Sequence, residues 1–402
     1  MFFWLLAEVL IQTIYSTLQP MFNSLRTLPI AFYCSSISWG GLEMNVVRYA
    51  RAFRDRGYAV LILATPESPI WKAAADAQLP IVAITRGRKY FDILRAYRCA
   101  QLFKRHQIGL CVFRDTFDMD TLVRAKRFSR HPFKLVYHQA MQLGVEKKDV
   151  FHTRRFKGID AWVALLPYLK TQVQSMTRFP AERIHVVPLG IDPQRLRIGE
   201  NLRAASRAQF HLSEDAFVVG LMGRLDPLKG QHVAIEALAQ VRSKGYPIQL
   251  VLMGDATLHE GNDYHRRISA LLEKHALTNV VRLLPGQSDV AAFYHAIDAF
   301  ALCSAGETFG NVTIEAMAIG LPIIGTNSSG TPEILDHGRC GLLFPPGDAV
   351  ALADAMAELY DHPDKRAQLA ADARARFETN YSLEQSVRGL EDVFEKCMNN
   401  AS

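Results

Sequence analysis

The sequence predicts an α/β protein with two domains, each an open parallel sheet covered by helices. The chain of 402 residues is long for one domain and sufficient for two. Apolar residues make up 49% and charged residues 21%, so both halves can bury a core and no long disordered region is implied. Short apolar runs alternate with segments of helical periodicity, which is the pattern of successive β-α-β units.

Residues 1–28 precede the predicted domains and read as an apolar helix. Residues 2–18 form a strongly apolar run that is broken by Glu8, Gln12 and Ser16, which recur every fourth position as one polar stripe. The run is too short and too polar for a predicted membrane span, and it lacks the basic start and cleavage site of a secretory signal. A helix lying in the membrane surface fits better. The alternatives are a helix docked on the protein itself and an upstream start codon.

The first domain is predicted over residues 29–197. Its predicted strands are 30–34, 59–64, 81–84, 110–113, 134–138, 161–165 and 184–191, and its predicted helices are 45–56, 91–106 and 120–129. Gly40 and Gly41 follow the first strand, where glycine lets the backbone approach a ligand, although many loops are glycine-rich only because they turn. His138 ends a strand, where open α/β sheets place ligands and a histidine can contact a sugar hydroxyl. A structural histidine is the alternative.

The formal net charge of +6 is unevenly distributed. Residues 86–157 contain eighteen Lys or Arg against six acids, a net of +12, so the rest of the chain carries about −6. This basic stretch favours an anionic partner, such as a membrane, an acidic acceptor or nucleic acid. An ordinary solvated surface is the alternative.

No motif indicates a bound metal. The six cysteines show no metal-ligand spacing and are typical of reduced, mostly buried thiols in a cytosolic protein. Asp118 and Asp120 have Asp-x-Asp spacing, but they lie in the first domain, and no such motif stands in a suitable loop of the second.

A polar segment at 192–200 reads as a linker, and the second domain is predicted over 198–380. Its predicted strands are 217–222, 249–253, 280–283, 299–303 and 321–326, and its predicted helices are 231–244, 264–275, 290–296 and a helix that Gly320 ends. Arg224 and Lys229 stand five apart in the loop after the first of these strands. An arginine fork and a lysine point charge can neutralise a diphosphate there, with an ordinary exposed loop as the alternative.

The stretch 306–333 combines a glycine loop, two carboxylates and a helix start. The helix is predicted to begin at about Gly310 or Asn311, and its unpaired N–H groups can hold an anion. Glu307 stays on the loop, and Glu315 lies just over one turn inside the helix. Either glutamate alone can be structural, but the two together favour ligand binding.

The runs G-R-L-D-P-L-K-G, M-G-D and G-E-T-F-G-N-V-T-I-E-A-M-A-I-G-L-P-I-I-G-T-N-S-S-G-T-P-E-I resemble, in order and spacing, the retaining glycosyltransferases of family 4. The resemblance covers residues 183–380 closely and the N-terminal half more loosely. It implies the GT-B fold, in which two Rossmann-like domains face each other across a cleft. It further implies that the last helix, within 381–402, crosses back to the first domain. Cys303 departs from the family, which usually has proline there.

The resemblance also implies roles for individual residues. Arg224 and Lys229 would hold the diphosphate of a nucleotide-sugar donor, Glu315 its ribose and Glu307 the transferred sugar. The amides of Phe309, Gly310 and Asn311 would face the sugar and phosphate. Gly40 and Gly41 would approach the diphosphate, and His138 would lie near the anomeric carbon.

These residues predict metal-independent transfer with retention, and no cofactor besides the donor substrate. Fixed cations and a helix N-terminus stabilise a departing diphosphate. The expected acceptor is a saccharide or a lipid-linked molecule in cell-surface polysaccharide or lipopolysaccharide synthesis. We expect a cytoplasmic protein, peripheral on the inner membrane face, that binds no nucleic acid. The alternatives are a nucleotide-sugar epimerase of the same fold and a non-enzymatic basic module that binds membrane or nucleic acid. No G-x-G-x-x-G follows a strand, which disfavours a dinucleotide oxidoreductase.

Overall fold

A computed structural model describes residues 28–196, 202–255, 263–287 and 289–399. The helix predicted for residues 1–28 therefore lies outside the described residues, apart from Leu28. The chain forms two compact units. Unit 1 combines the described residues up to Val187 with those from Val387 onward, and unit 2 runs from Pro188 to Ser386.

Within the described part of the chain, unit 1 contains a seven-stranded parallel sheet in the order β3-β2-β1-β4-β5-β6-β7. Its strands are β1 (Ile30–Cys34), β2 (Val60–Ala64), β3 (Ile81–Ala83), β4 (Leu110–Phe113), β5 (Lys134–His138), β6 (Ala161–Ala164) and β7 (Ile184–Val186). The last predicted strand, 184–191, is shorter than expected: Val187 still donates its N–H to β6, and Pro188, which has no N–H, follows.

The helices of unit 1 cover the faces of this sheet. They are α1 (Gly41–Asp55), α2 (Pro69–Asp76), α3 (Ile93–Arg105), α4 (Met119–Phe128), α5 (Val150–Phe156) and α6 (Pro167–Met176). The side chains of Ser68, Asp92 and Asp149 accept backbone N–H bonds and so cap α2, α3 and α5. The prediction that α1 starts at residue 45 was wrong. It starts at Gly41, because the buried stripe of Val46, Tyr49 and Phe53 extends back to Glu43.

Unit 2 contains a six-stranded parallel sheet among the residues described, in the order β10-β9-β8-β11-β12-β13. Its strands are β8 (Phe217–Met222), β9 (Ile248–Met253), β10 (Val281–Leu284), β11 (Ala299–Leu302), β12 (Ile323–Thr326) and β13 (Leu342–Phe344). Its helices are α7 (Leu202–Gln209), α8 (Gln231–Ser243), α9 (Asp263–Lys274), α10 (Ala291–Ala296), α11 (Asn311–Ile319), α12 (Thr331–Ile334), α13 (Ala349–Asp361) and α14 (Pro363–Asn380). The core of the unit packs its sheet against α8, α9 and α13.

The last helix, α15 (Leu383–Asn399), begins in unit 2 and belongs to unit 1 from Val387 onward. In unit 1, Phe394 stacks on Phe53 at a ring distance of 5.3 Å, and Glu391 forms an ion pair with Arg56 at 2.9 Å. In unit 2, Ile191 donates its N–H to Tyr381 and accepts from the N–H of Leu383. These bonds hold residues 188–191 in unit 2, so the units divide before the segment that was interpreted as a linker.

All six cysteines fall in the described ranges, and all are free and buried, as the sequence predicted. Burial raises the pKa of the Cys303 thiol to about 12. No helix in the described ranges is both long and apolar enough to cross a bilayer.

One glycine fixes the loop after β8 against the end of β11. Gly230 has a φ of +73°, and a Cβ there would lie 2.3 Å from the carbonyl oxygen of Cys303. Gly230→Ala should therefore destabilise the protein by about 3 kcal/mol, since a left-handed residue costs about 1 to 2 kcal/mol and the clash adds to that cost. Denaturant unfolding followed by circular dichroism measures this loss.

Gly245→Ala is the matched control. Gly245 also has a positive φ, of +95°, but a Cβ there would meet nothing within 4 Å. Gly245→Ala should therefore lower the free energy of unfolding by only about 1 kcal/mol, which is the cost of the left-handed backbone. Equal losses in the two variants would show that the contact between Gly230 and Cys303 does not constrain the fold.

Candidate active site

Arg224 and Lys229 lie in the short, ordered loop between β8 and α8. The carboxylate of Asp226 accepts the N–H of Leu228 over 2.8 Å and fixes a single 3-10 turn. The side-chain amide of Gln231 donates to the carbonyl of Arg224 over 2.7 Å. Arg224 itself is 65% exposed, and its guanidinium stands 3.9 Å from Asp226. The backbone of this loop is thus held in place, while the Arg224 side chain remains accessible to solvent.

Lys229 and Glu307, which stand 78 residues apart, are in direct contact. The ammonium of Lys229 donates to Oε2 of Glu307 over 2.6 Å, and both side chains are partly exposed. The carbonyl of Glu307 accepts the N–H of Gly330, which anchors the glutamate from its other side. Ion pairs this exposed add little to stability. The contact instead positions a cation and a carboxylate together beyond the carboxyl ends of β8 and β11.

The N-terminus of α11 opens beside this pair. Gly310 has a φ of +78°, and no described side chain caps the helix or places an acid in its first turn. A Cβ at Gly310 would lie 3.1 Å from both Glu307 and Thr313. The buried Oδ1 of Asn311 and Oγ1 of Thr313 have no hydrogen-bond partner among the described residues. The helix end therefore offers free N–H groups, the positive end of its dipole and two unused polar atoms.

Phe309 contributes only its backbone to this region. Its ring is buried and lies edge-on to Tyr381 at 6.0 Å. The ring therefore anchors the turn that leads into Gly310 and Asn311. Any ligand contact at position 309 has to use the main chain.

Glu315 is buried and already holds two hydrogen bonds. Arg195 Nη2 donates to one carboxylate oxygen, and the Tyr294 hydroxyl donates to the other, each over 2.8 Å. Burial, followed by the Glu315 charge, raises the pKa of Tyr294 well above its ordinary value, so the phenol stays a donor. A carboxylate has about four acceptor positions, which leaves capacity for a further donor. Neither partner was predicted from the sequence, and Arg195 lies in the segment that was interpreted as a linker.

In unit 1, Gly40 and Gly41 lie at the start of α1, not in a free loop. Gly40 has extended backbone angles, and a Cβ there would make an ordinary contact of 3.6 Å with Glu43. No described side chain caps the helix. A ligand would therefore bind to the main-chain N–H groups of the first turn of α1. The conformational freedom of glycine is not used at this position.

His138 lies at the end of β5 and is almost fully buried, with 1% of its surface exposed. The guanidinium of Arg114 lies 2.8 Å from Nδ1. Because a guanidinium only donates, Nδ1 accepts this bond and the ring proton resides on Nε2. Burial, with a smaller contribution from Arg114, lowers the pKa of His138 well below its ordinary value. Nε2 has no hydrogen-bond partner among the described residues. His138 is therefore a neutral imidazole with an unused N–H donor, a state that position in the sequence could not predict.

Asp118 and Asp120 serve the interior of unit 1. Asp118 accepts bonds from the N–H and hydroxyl of Ser35 and from Arg95. Asp120 accepts from Arg124 and from the N–H of Phe91. Among the residues that the structure covers, no three His, Cys, Asp or Glu side chains converge as metal ligands would.

Two family models match almost the whole described chain. The model of glycosyltransferase family 4 matches residues 39–195, and that of glycosyl transferases group 1 matches residues 203–376. The chain belongs to the family-4 glycosyltransferases. The resemblance noted in the sequence motifs is confirmed.

Relatives of this glycosyltransferase carry related names. The D-inositol 3-phosphate glycosyltransferase of Stackebrandtia nassauensis is 29% identical over 89% of the chain and 88% of the relative. That of Saccharomonospora viridis is 32% identical over 54% of the chain, and the match spans only about half, 51%, of the relative. The capsular polysaccharide biosynthesis glycosyltransferase CapM of Staphylococcus aureus is 31% identical over 46% of the chain and 47% of the relative.

Solved structures confirm the GT-B fold of the glycosyltransferase. The crystal structure of Anabaena HepE in complex with UDP and glucose is 23% identical, covers 91% of this chain and 98% of its own, and has a TM-score of 0.76. A glycosyltransferase from Rickettsia africae is 17% identical, covers 93% of this chain and 99% of its own, and has a TM-score of 0.82.

The neutral state of His138 predicts a pH dependence of stability. Below its ordinary pKa of 6.5, the unfolded chain takes up a proton at His138 while the folded chain does not. The free energy of unfolding should therefore fall as the pH drops from 6.5 towards the lowered pKa, by up to about 1.4 kcal/mol per pH unit. His138→Asn should reduce this slope, measured by denaturant unfolding across that pH range.

An exposed histidine of unit 2 provides the control. His265→Asn should leave the slope of stability against pH as it is in the parent protein. If His138→Asn and the parent protein show the same slope, His138 does not stay neutral in the folded state.

Proposed function

We propose that this glycosyltransferase moves a sugar from a nucleotide-diphosphate sugar to a hydroxyl of a saccharide or lipid-linked acceptor, with retention and without a metal. The observation that carries the proposal is the Lys229–Glu307 contact at the uncapped N-terminus of α11. It supports the proposal because a cation suited to phosphate, a carboxylate suited to sugar hydroxyls and free N–H groups lie together beyond the carboxyl ends of two adjacent strands, where open α/β sheets bind nucleotides.

The leaving group determines what the site has to do. When the glycosidic bond breaks, negative charge develops on the departing diphosphate. Lys229, the accessible guanidinium of Arg224 and the α11 N–H groups are fixed donors that can stabilise this charge without reorganising. The ammonium has three protons, so it can keep its bond to Glu307 while it donates to a phosphate oxygen.

The remaining site residues bind different parts of the donor. Glu307 accepts from hydroxyls of the transferred sugar, and Glu315, held by Arg195 and Tyr294, accepts from the ribose. In unit 1, we assign the neutral Nε2–H donor of His138 to the sugar and the N–H groups of the first turn of α1, at Gly40 and Gly41, to the diphosphate. A neutral donor suits the sugar, because a histidine cation would disfavour the positive charge that develops at the anomeric carbon.

The donor and acceptor are proposed from chemistry and from relatives. HepE was solved with UDP and glucose, so UDP-sugars are the first donors to test. CapM carries a name from capsule synthesis, which supports an acceptor in cell-surface polysaccharide or lipopolysaccharide assembly. The +12 charge of residues 86–157 supports a cytoplasmic protein that works peripherally at the inner membrane face.

A donor screen tests the proposal directly. One class among UDP-, GDP- and ADP-sugars should raise the melting temperature, and radiolabelled sugar from that donor should move to an added acceptor with its anomeric configuration kept. Conversion of the donor without any acceptor would instead indicate an epimerase. If no donor stabilises the protein and Glu315→Ala keeps full activity, the site assignment is wrong.

Lys229→Ala should lower kcat by about a hundredfold to a thousandfold, the usual effect of removing one donor to developing negative charge. Lys244→Ala is the matched control, because Lys244 also forms an ion pair in unit 2, with Asp354 at 2.7 Å, but on an exposed surface. The control should keep the parent kcat. If the Lys229→Ala enzyme keeps the kcat of the parent protein, Lys229 takes no part in the mechanism.

A further inference from the structure

Unit 1 contains a cavity of about 520 Å³ whose lining includes no residue assigned above to the donor. It opens between α4, α5 and the turn before α3. Four arginines and one carboxylate contribute to its walls. The lining residues are Phe91, Asp120, Val123, Arg124, Arg127, Val150, Phe151, Arg154 and Arg155.

The positive charge of this cavity is only partly neutralised. Arg124 forms an ion pair with Asp120 at 2.8 Å. Arg127 donates to the main-chain carbonyl of Arg154 over 3.1 Å and forms no ion pair with any residue that the structure describes. Arg155 is only 6% exposed and donates to the carbonyl of Thr116, while its Nε has no hydrogen-bond partner among the described residues. The lining therefore has an excess of positive charge and a buried donor with no acceptor, and both features favour a phosphate group.

The rim of the cavity is apolar and exposed. Val150 is 79% exposed and Phe91 is 64% exposed, and Ile93 and Leu94 project from the first turn of α3 next to Phe91. Phe91 has a φ of +58°, which is strained for a bulky residue. Asp120 stabilises this conformation by accepting the N–H of Phe91 over 2.9 Å. The chain thus keeps a large ring at the rim at some conformational cost, which is typical of functional positions.

We propose that this cavity and its rim dock the glycosyltransferase on an anionic membrane. The arginines bind the phosphate of a phospholipid headgroup, and Phe91, Ile93, Leu94 and Val150 enter the boundary of the acyl chains. The positive charge of the arginines is complementary to the negative charge of anionic lipid. The exposed aliphatic side chains suit the acyl chains of a membrane. A surface for nucleic acid would instead rely on cations and on aromatic rings that stack on bases. The inference deepens the membrane location in the proposed function, yet it concerns binding and not transfer.

Vesicle binding by the full chain tests the proposal. The protein should sediment with vesicles of phosphatidylcholine and phosphatidylglycerol, and much less with phosphatidylcholine alone. Arg127→Gln with Arg154→Gln should weaken binding to the anionic vesicles by about fivefold for each arginine removed. Leu94→Ser with Val150→Ser should also weaken it, because the rim loses apolar area. Circular dichroism should show that all variants are folded.

A matched pair separates the cavity from the general charge of the region. Lys104→Gln with Arg105→Gln removes the same charge from the end of α3, away from the cavity lining, and should reduce vesicle binding far less. Equal weakening by the two pairs would overturn the proposal, and so would unchanged vesicle binding after Arg127→Gln with Arg154→Gln. Tight binding of a DNA oligonucleotide with no vesicle binding would also overturn it and would identify nucleic acid as the partner. Lys229→Ala should bind vesicles as the parent does, so a failure of the transfer mechanism is distinguishable from a failure of docking.

Discussion

Parallel pairing of the strands is the constraint on which the candidate site of unit 2 depends. Every strand pair in the described part of each unit is parallel, so all loops that follow strands emerge at one edge of their sheet. β8 and β11 are neighbours in the sheet although 80 residues of sequence separate the paired residues Val219 and Ala299. That pairing brings the Lys229 loop against the Glu307 loop. The packing of Gly230 on Cys303 then sets the distance between them.

Burial determines the charge state of His138 in unit 1. His138 loses its charge because desolvation disfavours the imidazolium and Arg114 repels it. Burial lowers the pKa of Arg114 to about 10, which still leaves the guanidinium charged at neutral pH. Glu315 is equally buried, but two donors satisfy its oxygens. Burial therefore produces a neutral imidazole in unit 1, and in unit 2 two hydrogen bonds fix the orientation of the buried Glu315 side chain.

Local patterns in the sequence predicted much of the fold and the position of the candidate residues. The strands at 110–113, 134–138 and 217–222 have the predicted bounds, because each is built on a short run of apolar residues. Long-range partners could not be predicted in this way. Arg195 and Glu315 are 120 residues apart, and Arg114 and His138 are 24 apart, and no spacing rule links either pair. The roles of the site residues stay predictions, whereas the family and the fold are confirmed.

The two ends of unit 2 lie side by side. Ser386 donates its hydroxyl to the carbonyl of Pro188 over 2.5 Å, and Ile191 pairs with Ser382. Unit 2 is thus an insertion with adjoining ends inside the sequence of unit 1. A segment with adjoining ends can be removed, exchanged or circularly permuted without changing the path of the host chain. Unit 2 can therefore be exchanged as one piece, and because the proposed donor site lies within it, such an exchange would change donor preference while unit 1 is kept.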